Sequence, residues 1–329
     1  MLTLKENFLE TIKKDGKPEG LCACYTAFKP IPGDPVFQYV RGNRIRGTNS
    51  IDRWGTQILF PEDQPAATPH VTPENQVIQD IEEWQDYVKV PDLVANCSEG
   101  WEAAQKFKAE VDSKEYLTMT IMGTGIFEQC HMLMTFEDTL ANLLMYPDEM
   151  HELIDVITEY RLSYMKLIVE NLHPDAILSH DDWGSKNTML MSPDTWREFF
   201  KEPYRKLYKY LHDNGVLVVH HSDSFNEPIV EDMEEIGIDV WQGVLPTNNI
   251  PEISKRLKGS MALMGGIDSG IDRADVTEEE IRKETRRVCE EYGHLPQFIP
   301  SITYGGPGTI YPWVQDVIVD EIRKYNQGL

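Results

Sequence analysis

The sequence predicts an α/β protein folded as a (β/α)8 TIM barrel, with an N-terminal elaboration over the barrel mouth. Three observations carry this. Strand and helix signals alternate from about residue 116 onward, which implies a parallel sheet. The strand candidates are short apolar runs, the pattern of strands buried on both faces. Polar residues follow strand after strand, and the C-terminal strand ends of a barrel form one functional face. An open doubly wound sheet is the alternative. No Gly-rich nucleotide or dinucleotide fingerprint supports it.

The elements follow in order. Residues 1–14 read as an amphipathic helix with Leu4, Phe8, Leu9 and Ile12 on one side. Residues 20–26 read as a first buried strand carrying Cys22 and Cys24. Residues 27–75 are rich in Pro, Gly and aromatics with little periodicity, and are expected to be an irregular, substrate-facing segment. Residues 76–112 turn helical and polar. Strands are expected over 116–122, 175–182, 215–219, 239–243, 261–266 and 297–303. Helices are expected over 136–144, 147–171, 192–212, 227–236, 251–257 and 277–292, with one more closing the chain. Ser192-Pro193 is an N-cap followed by proline at the first helical position, and Thr277-x-x-Glu280 resembles a capping box.

The 329 residues suit one barrel domain spanning 1–329, and 41% hydrophobic content is enough for a large core. A net charge of −24 argues against nucleic-acid or anionic-membrane partners. No run approaches the roughly 18 apolar residues of a membrane span, and the first residues lack the apolar core of a signal peptide. Five scattered cysteines do not form a disulfide pattern, so a reduced cytoplasmic setting is expected.

The densest chemistry follows the strand at 215–219, in His220, His221, Ser222 and Asp223. Alternation along a strand puts His221 and Asp223 on one side and leaves His220 as a structural histidine on the other. Glu128, then His180, Asp181, Asp182 and Trp183, then Gln242, Asp268 and Tyr304 follow the other strands. His180 and Asp182 share parity, while Asp181 is expected to brace a loop. Acids and imidazoles converging with few basic partners repel one another unless a cation sits among them. Nitrogen and oxygen donors suit a catalytic zinc with an open position. No Gly-x-Ser-x-Gly elbow or His-Glu-x-x-His helix offers another chemistry.

Several motifs together resemble the uroporphyrinogen decarboxylase superfamily, and more narrowly its corrinoid-dependent methyltransferase branch. They are Asp52-x-Trp54-Gly55, the 81–92 stretch with Trp84 and Pro91-Asp92, Gly125-x-Phe127-Glu128 and Asp181-Asp182-Trp183-Gly184. Ser192-Pro193, His221-Ser222-Asp223, Gly265-Gly266-Ile267-Asp268 and Tyr304-Gly305-Gly306-Pro307-Gly308 complete the set. The Met-Arg-Gln-Ala-Gly-Arg motif that grips propionates in true uroporphyrinogen decarboxylases is missing, and Arg41, Arg44 and Arg46 do not reproduce its spacing. Thiol-methylating members of the branch bind zinc through His-x-Cys and a later Cys. Here the first motif matches His221-Ser222-Asp223, and the later Cys has no counterpart near 301–306.

The resemblance therefore implies zinc on His221 and Asp223, with Glu128 or Asp182 as third ligand. A harder, carboxylate-bound zinc favours an oxygen leaving group. That implies a demethylase moving the methyl of a small donor, a methyl ether first, to the cobalamin of a partner corrinoid protein. In that reading Asp182, His180 and Glu128 are catalytic. Trp54, Phe127, Trp183, Gln242 and Tyr304 bind substrate. A homodimer is expected at family level. Two other classes compete: a carboxy-lyase for an acidic substrate, its basic pocket drawn from Arg41, Arg44, Arg46 and Arg53, and a non-catalytic binding barrel.

Overall fold

The computed structural model describes residues 1–42, 44–63, 66–303 and 311–328. Ten strands occur in chain order among them: β1 (Phe28–Pro30), β2 (Thr48–Ile51), β3 (Gln57–Phe60), β4 (Thr68–Pro69), β5 (Leu117–Met122), β6 (Ala176–His180), β7 (Leu217–His221), β8 (Val240–Val244), β9 (Ala262–Ile267) and β10 (Phe298–Ile302). Seven form one curled parallel sheet in the order β1-β5-β6-β7-β8-β9-β10, with helices in the crossovers, a TIM-barrel-like arrangement. No described helix is long and apolar enough to cross a membrane.

Side-chain parity divides the sheet's apolar residues into two cores. Leu117, Met119, Ala176, Leu178, Val219, Val240, Ala262, Met264 and Ile299 form the inner cluster, together with Phe8. The alternate residues Ile177, Val218, Trp241 and Leu263 belong to the outer core against the helices. The helix Leu4–Ile12 enters the inner cluster through Phe8. Phe8 and Thr11 are its buried residues, while Leu4 and Leu9 remain exposed, contrary to the expected four-residue stripe.

Two expectations for the N-terminal third are corrected. Residues 20–26 form no strand: Cys24 adopts a left-handed backbone with φ 47°, which breaks extended pairing. The segment still bridges the sheet's two ends. The Cys24 N–H donates to the Pro300 carbonyl of β10, and two residues before β5's partner strand the Ala27 carbonyl accepts from Leu117. Irregular backbone thus occupies the eighth stave. Residues 27–75 are not irregular either. They hold β1, the helix Pro35–Arg41 and an antiparallel sheet β2-β3-β4. Asp34 caps that helix, accepting from Val36 and Phe37 N–H, with Pro35 at its first position.

Most predicted helices appear within a residue or two, including Phe136–Met145, Pro147–Leu172, Ile250–Arg256 and Glu278–Tyr292 with the Thr277/Glu280 capping box formed. The helix expected over 192–212 contains a π turn at Arg197–Lys201, just ahead of Pro203, whose ring removes a backbone donor. The helix Ile126–Leu133 was not anticipated, and it carries Glu128.

Candidate functional site

The inner parity of three strands ends in polar residues. Above Ala176 and Leu178 comes His180, above Leu217 and Val219 comes His221, and above Val240 comes Gln242. These side chains form the top layer of the barrel interior. His180 and His221 face a cavity of about 810 Å³, which Asp182, Asp223 and Glu128 also line. One ligand atom each from His180, Asp182 and His221 lies within 4.8 Å of the others. The two imidazoles stack with centroids 4.6 Å apart and planes 18° from parallel.

Each of the three residues is braced at one atom and presents the other. The Gln242 Nε2 donates to the Ile302 carbonyl at 3.2 Å, which turns its Oε1 toward His221 Nδ1. An oxygen acceptor there places the His221 proton on Nδ1 and leaves Nε2 free. His180 Nδ1 lies 2.9 Å from Glu128 Oε2, which leaves His180 Nε2 facing Asp182 Oδ2 at 3.8 Å. Asp182 Oδ1 accepts from Asp223 N–H at 3.0 Å and from Ser224 Oγ at 3.2 Å. Gly243, beside Gln242 at a register shift in β8, has φ 100°. A Cβ there would lie 2.8 Å from the Ser222 carbonyl oxygen, so the bulge that aims Gln242 requires glycine.

Asp181 points away from the cavity and holds the neighbouring helix in place. Its carboxylate accepts from Phe127 and Glu128 N–H at 3.0 Å each, from Trp183 Nε1 at 3.0 Å and from Tyr204 Oη at 2.6 Å. It thereby caps Ile126–Leu133 and fixes Glu128. A Cβ on Gly125 would come within 2.0 Å of the Asp181 carboxyl carbon, so this close approach excludes any side chain at 125. Glu128 Oε2 also accepts from Gly125 N–H at 2.9 Å.

The charges are strongly interdependent. Burial opposes a proton on His180, but the adjacent Glu128 carboxylate and Asp182 outweigh it and push the imidazole pKa up to about 10. Burial likewise opposes charge on Glu128, yet His180 holds its pKa low. Burial and then His180 push His221 down, toward neutral imidazole. Burial and then Asp182 push Asp223 up to about 7. Three carboxylates around two imidazoles balance only with positive charge among them.

The predicted residues fall into four groups. His180, Asp182 and His221 form the triad, with Glu128 and Asp223 beside it on the cavity wall. Trp54 also lines the cavity. Gln242 is fully buried and contacts His221. Phe127 and Trp183, expected as walls, are instead fully buried outside the cavity lining. Phe127 packs on Phe136 and Phe200, and Trp183 stacks on His220 at 4.2 Å. His220 takes the structural role, hydrogen-bonded to Tyr208 Oη at 2.6 Å. Tyr304 lies outside the described residues. Sequence reading missed Gln129, His131, Tyr160, Arg161 and Tyr164, which line the cavity from helices. Their only sequence signal is polarity on an otherwise buried helix face.

A TIM-barrel-like α/β fold with nitrogen and oxygen donors gathered at its strand ends defines the class of this protein. Its family follows from comparison. The uroporphyrinogen decarboxylase (URO-D) family model matches residues 51–325, and the chain belongs to that family. Similar proteins include the uroporphyrinogen decarboxylase of Burkholderia thailandensis, 25% identical over 186 residues, covering 56% of this chain and 49% of that one. That of Paraburkholderia xenovorans is 23% identical over 197 residues, covering 59% and 52%. The chain thus spans about half the length of these curated relatives. A methyltransferase from Methanosarcina mazei shares the fold, with a TM-score of 0.70 over 99% of both chains at 18% identity.

Proposed function

We propose that this chain is the demethylating component of a corrinoid-dependent methyltransferase. It takes a methyl group from a small donor, a methyl ether first, and passes it to the Co(I) of a corrinoid carried by a partner protein. The observation that carries the reading is the triad of His180, Asp182 and His221 facing the cavity. The triad fits zinc: each member has one braced atom and one presented atom, and the donor set is two nitrogens and one oxygen. The ligand set therefore differs from the sequence expectation of His221 with Asp223. His180 and Asp182 move from catalytic roles to ligand roles, and Asp223 stands beside them.

Zinc held there would supply Lewis acidity to the oxygen of the departing group. The chain's own residues do the rest. Gln242 fixes the His221 tautomer, and Glu128 fixes the His180 ring. Asp223 lies on the same wall to orient the donor oxygen. Trp54 and Tyr160, packed edge to face with centroids 4.8 Å apart, give an apolar wall for a ring. In the transfer the C–O bond breaks and its electron pair stays with oxygen, which gains a proton. Cobalt contributes the pair that forms the new bond to carbon.

The carboxy-lyase reading draws support from the relatives' name and from Arg41 and Arg44 in the cavity. It needs no metal. Zinc analysis of the purified protein, followed by incubation with a Co(I) corrinoid protein and a panel of methyl ethers and methylamines, separates the two. Stoichiometric zinc and methyl-cobalt absorbance with an ether are expected. A metal-free chain that releases carbon dioxide from an acid removes the methyltransferase reading.

A further inference from the structure

The cavity has a second polar region that the triad does not use. The N-terminal segment delivers Arg41, from the end of the helix Pro35–Arg41, and Arg44 just beyond it. Among the described residues Arg41 has no ion-pair partner, and its guanidinium carbon sits 4.0 Å from the centre of the Phe37 ring. Arg44 donates through Nη1 to the Ala67 carbonyl at 3.3 Å, while its buried Nε has no partner among the described residues. Asp52 is the acid whose charge Arg44 feels, but its carboxylate is committed to Trp54 and Thr56 N–H at 2.9 Å each. Arg161, the third cavity arginine, is spent on the carbonyls of Gly123 and Thr124 and on Ser179 Oγ.

Two adjacent guanidinium groups are thus left uncompensated. Burial, and then the neighbouring Arg44, push the Arg41 pKa down to about 10, so the pair stays cationic at neutral pH at a cost. The cost is notable in a chain of net charge −24, which has acids to spare for surface pairing. Gln129 adds another donor: it is 4% exposed, lines the cavity, and its Nε2 has no partner among the described residues. Unpartnered buried donors and cations of this kind are a complement waiting for an acceptor.

The geometry points to an anion subsite, formed by Arg41 and Arg44 with Gln129, that binds a carboxylate on the substrate. This deepens the proposed function and rests on it. The methyl donor is then an aromatic methyl ether bearing a carboxylate, its ring against Trp54, Tyr160 and Tyr164 and its ether oxygen at the triad. Guanidinium suits the planar carboxylate, which accepts two parallel N–H bonds. Strong local attraction is also needed here, because the net charge of the chain repels an anion at long range.

The test measures binding by calorimetry on the zinc-loaded full chain. The probes are para-methoxybenzoate, methoxybenzene and para-methoxybenzamide. The acid is expected to bind about tenfold or more tightly than either neutral ether, the scale of a charge-assisted hydrogen bond. Arg41→Met and Arg44→Met are expected to abolish that preference. Arg41→Lys, which keeps the charge and controls for misfolding, is expected to retain part of it. Equal affinity for acid and neutral ether, or a preference that survives both Met substitutions together, overturns the subsite. Methyl-cobalt formation is read separately. Acid-selective binding without transfer supports the subsite and removes the methyltransferase reading. Transfer from methoxybenzene alone, with no acid preference, does the reverse.

Discussion

The two ends of the sheet use the same residue types differently. At the N-terminal ends of the strands, each carboxylate serves its neighbour strand. Asp175, ahead of β6, accepts from Thr118 N–H and Oγ1 at 2.7 Å each. Asp239, ahead of β8, accepts from Val218 N–H at 2.7 Å and sits 2.9 Å from His212 Nε2. Glu234 takes the N–H groups of Lys258 and Ser260 at 2.9 Å. These acids are locally satisfied by backbone donors, so each one's work is structural. At the C-terminal ends, Glu128, Asp182 and Asp223 line one cavity with two imidazoles, and each keeps an atom free of backbone. Local satisfaction marks stability, and shared dissatisfaction marks chemistry.

The sharpest break between the ends is metal content. His221→Ala or Asp182→Ala is expected to remove zinc from about one per chain to none, by atomic absorption, with the circular dichroism spectrum unchanged. A variant that keeps full zinc puts the metal elsewhere and ends the distinction. Glu128→Gln comes next. It keeps a hydrogen bond to His180 but loses the charge. Zinc affinity is expected to fall about tenfold to a hundredfold, as for other groups behind metal ligands. Competition with a chelator measures it, and an unchanged affinity removes Glu128 from the site's support.

Substitution at the other end should move stability and spare the metal. Asp175→Asn retains an acceptor but weakens two hydrogen bonds and the pair with Lys5 at 3.4 Å. The expected cost is about 1–2 kcal/mol in urea unfolding, with zinc content and methyl transfer unaltered. A loss of zinc there would show the two ends to be coupled through β6.

Much of this contrast is legible in the sequence. The alternation of buried strands and helices locates β5 to β10, because period and burial are local properties. Parity separates His221 from His220 and Asp182 from Asp181, and the structure places each pair on opposite sides. The N-terminal segment is less legible. Cys24 breaks the expected strand through a left-handed backbone that no residue preference announces, and the short strands β2 to β4 have no apolar alternation to betray them. Phe127 and Trp183 look like pocket walls by position, yet packing turns both toward helices. Arg41 and Arg44 are visible as residues, but their lack of partners is a tertiary fact.

The smallest expected effect is a pH dependence confined to the structural end. The hydrogen bond from His212 to Asp239 raises the imidazole pKa above its ordinary value, against an opposing effect of burial. A histidine whose folded pKa is raised contributes stability that is fully present below the unfolded pKa, about 6.5, and is lost as pH rises through the folded value. The side chain is 40% exposed, so solvent screens the pair and the contribution is expected to stay below about 1 kcal/mol. His212→Gln should therefore be slightly less stable than the parent at about pH 5.5 and should match it more closely at about pH 9, by urea midpoints. Zinc content should be equal in the two proteins at both pH values. A gap that widens with pH would mean that Asp239 holds a neutral imidazole rather than a charged one, and the acid would then be serving β7 alone.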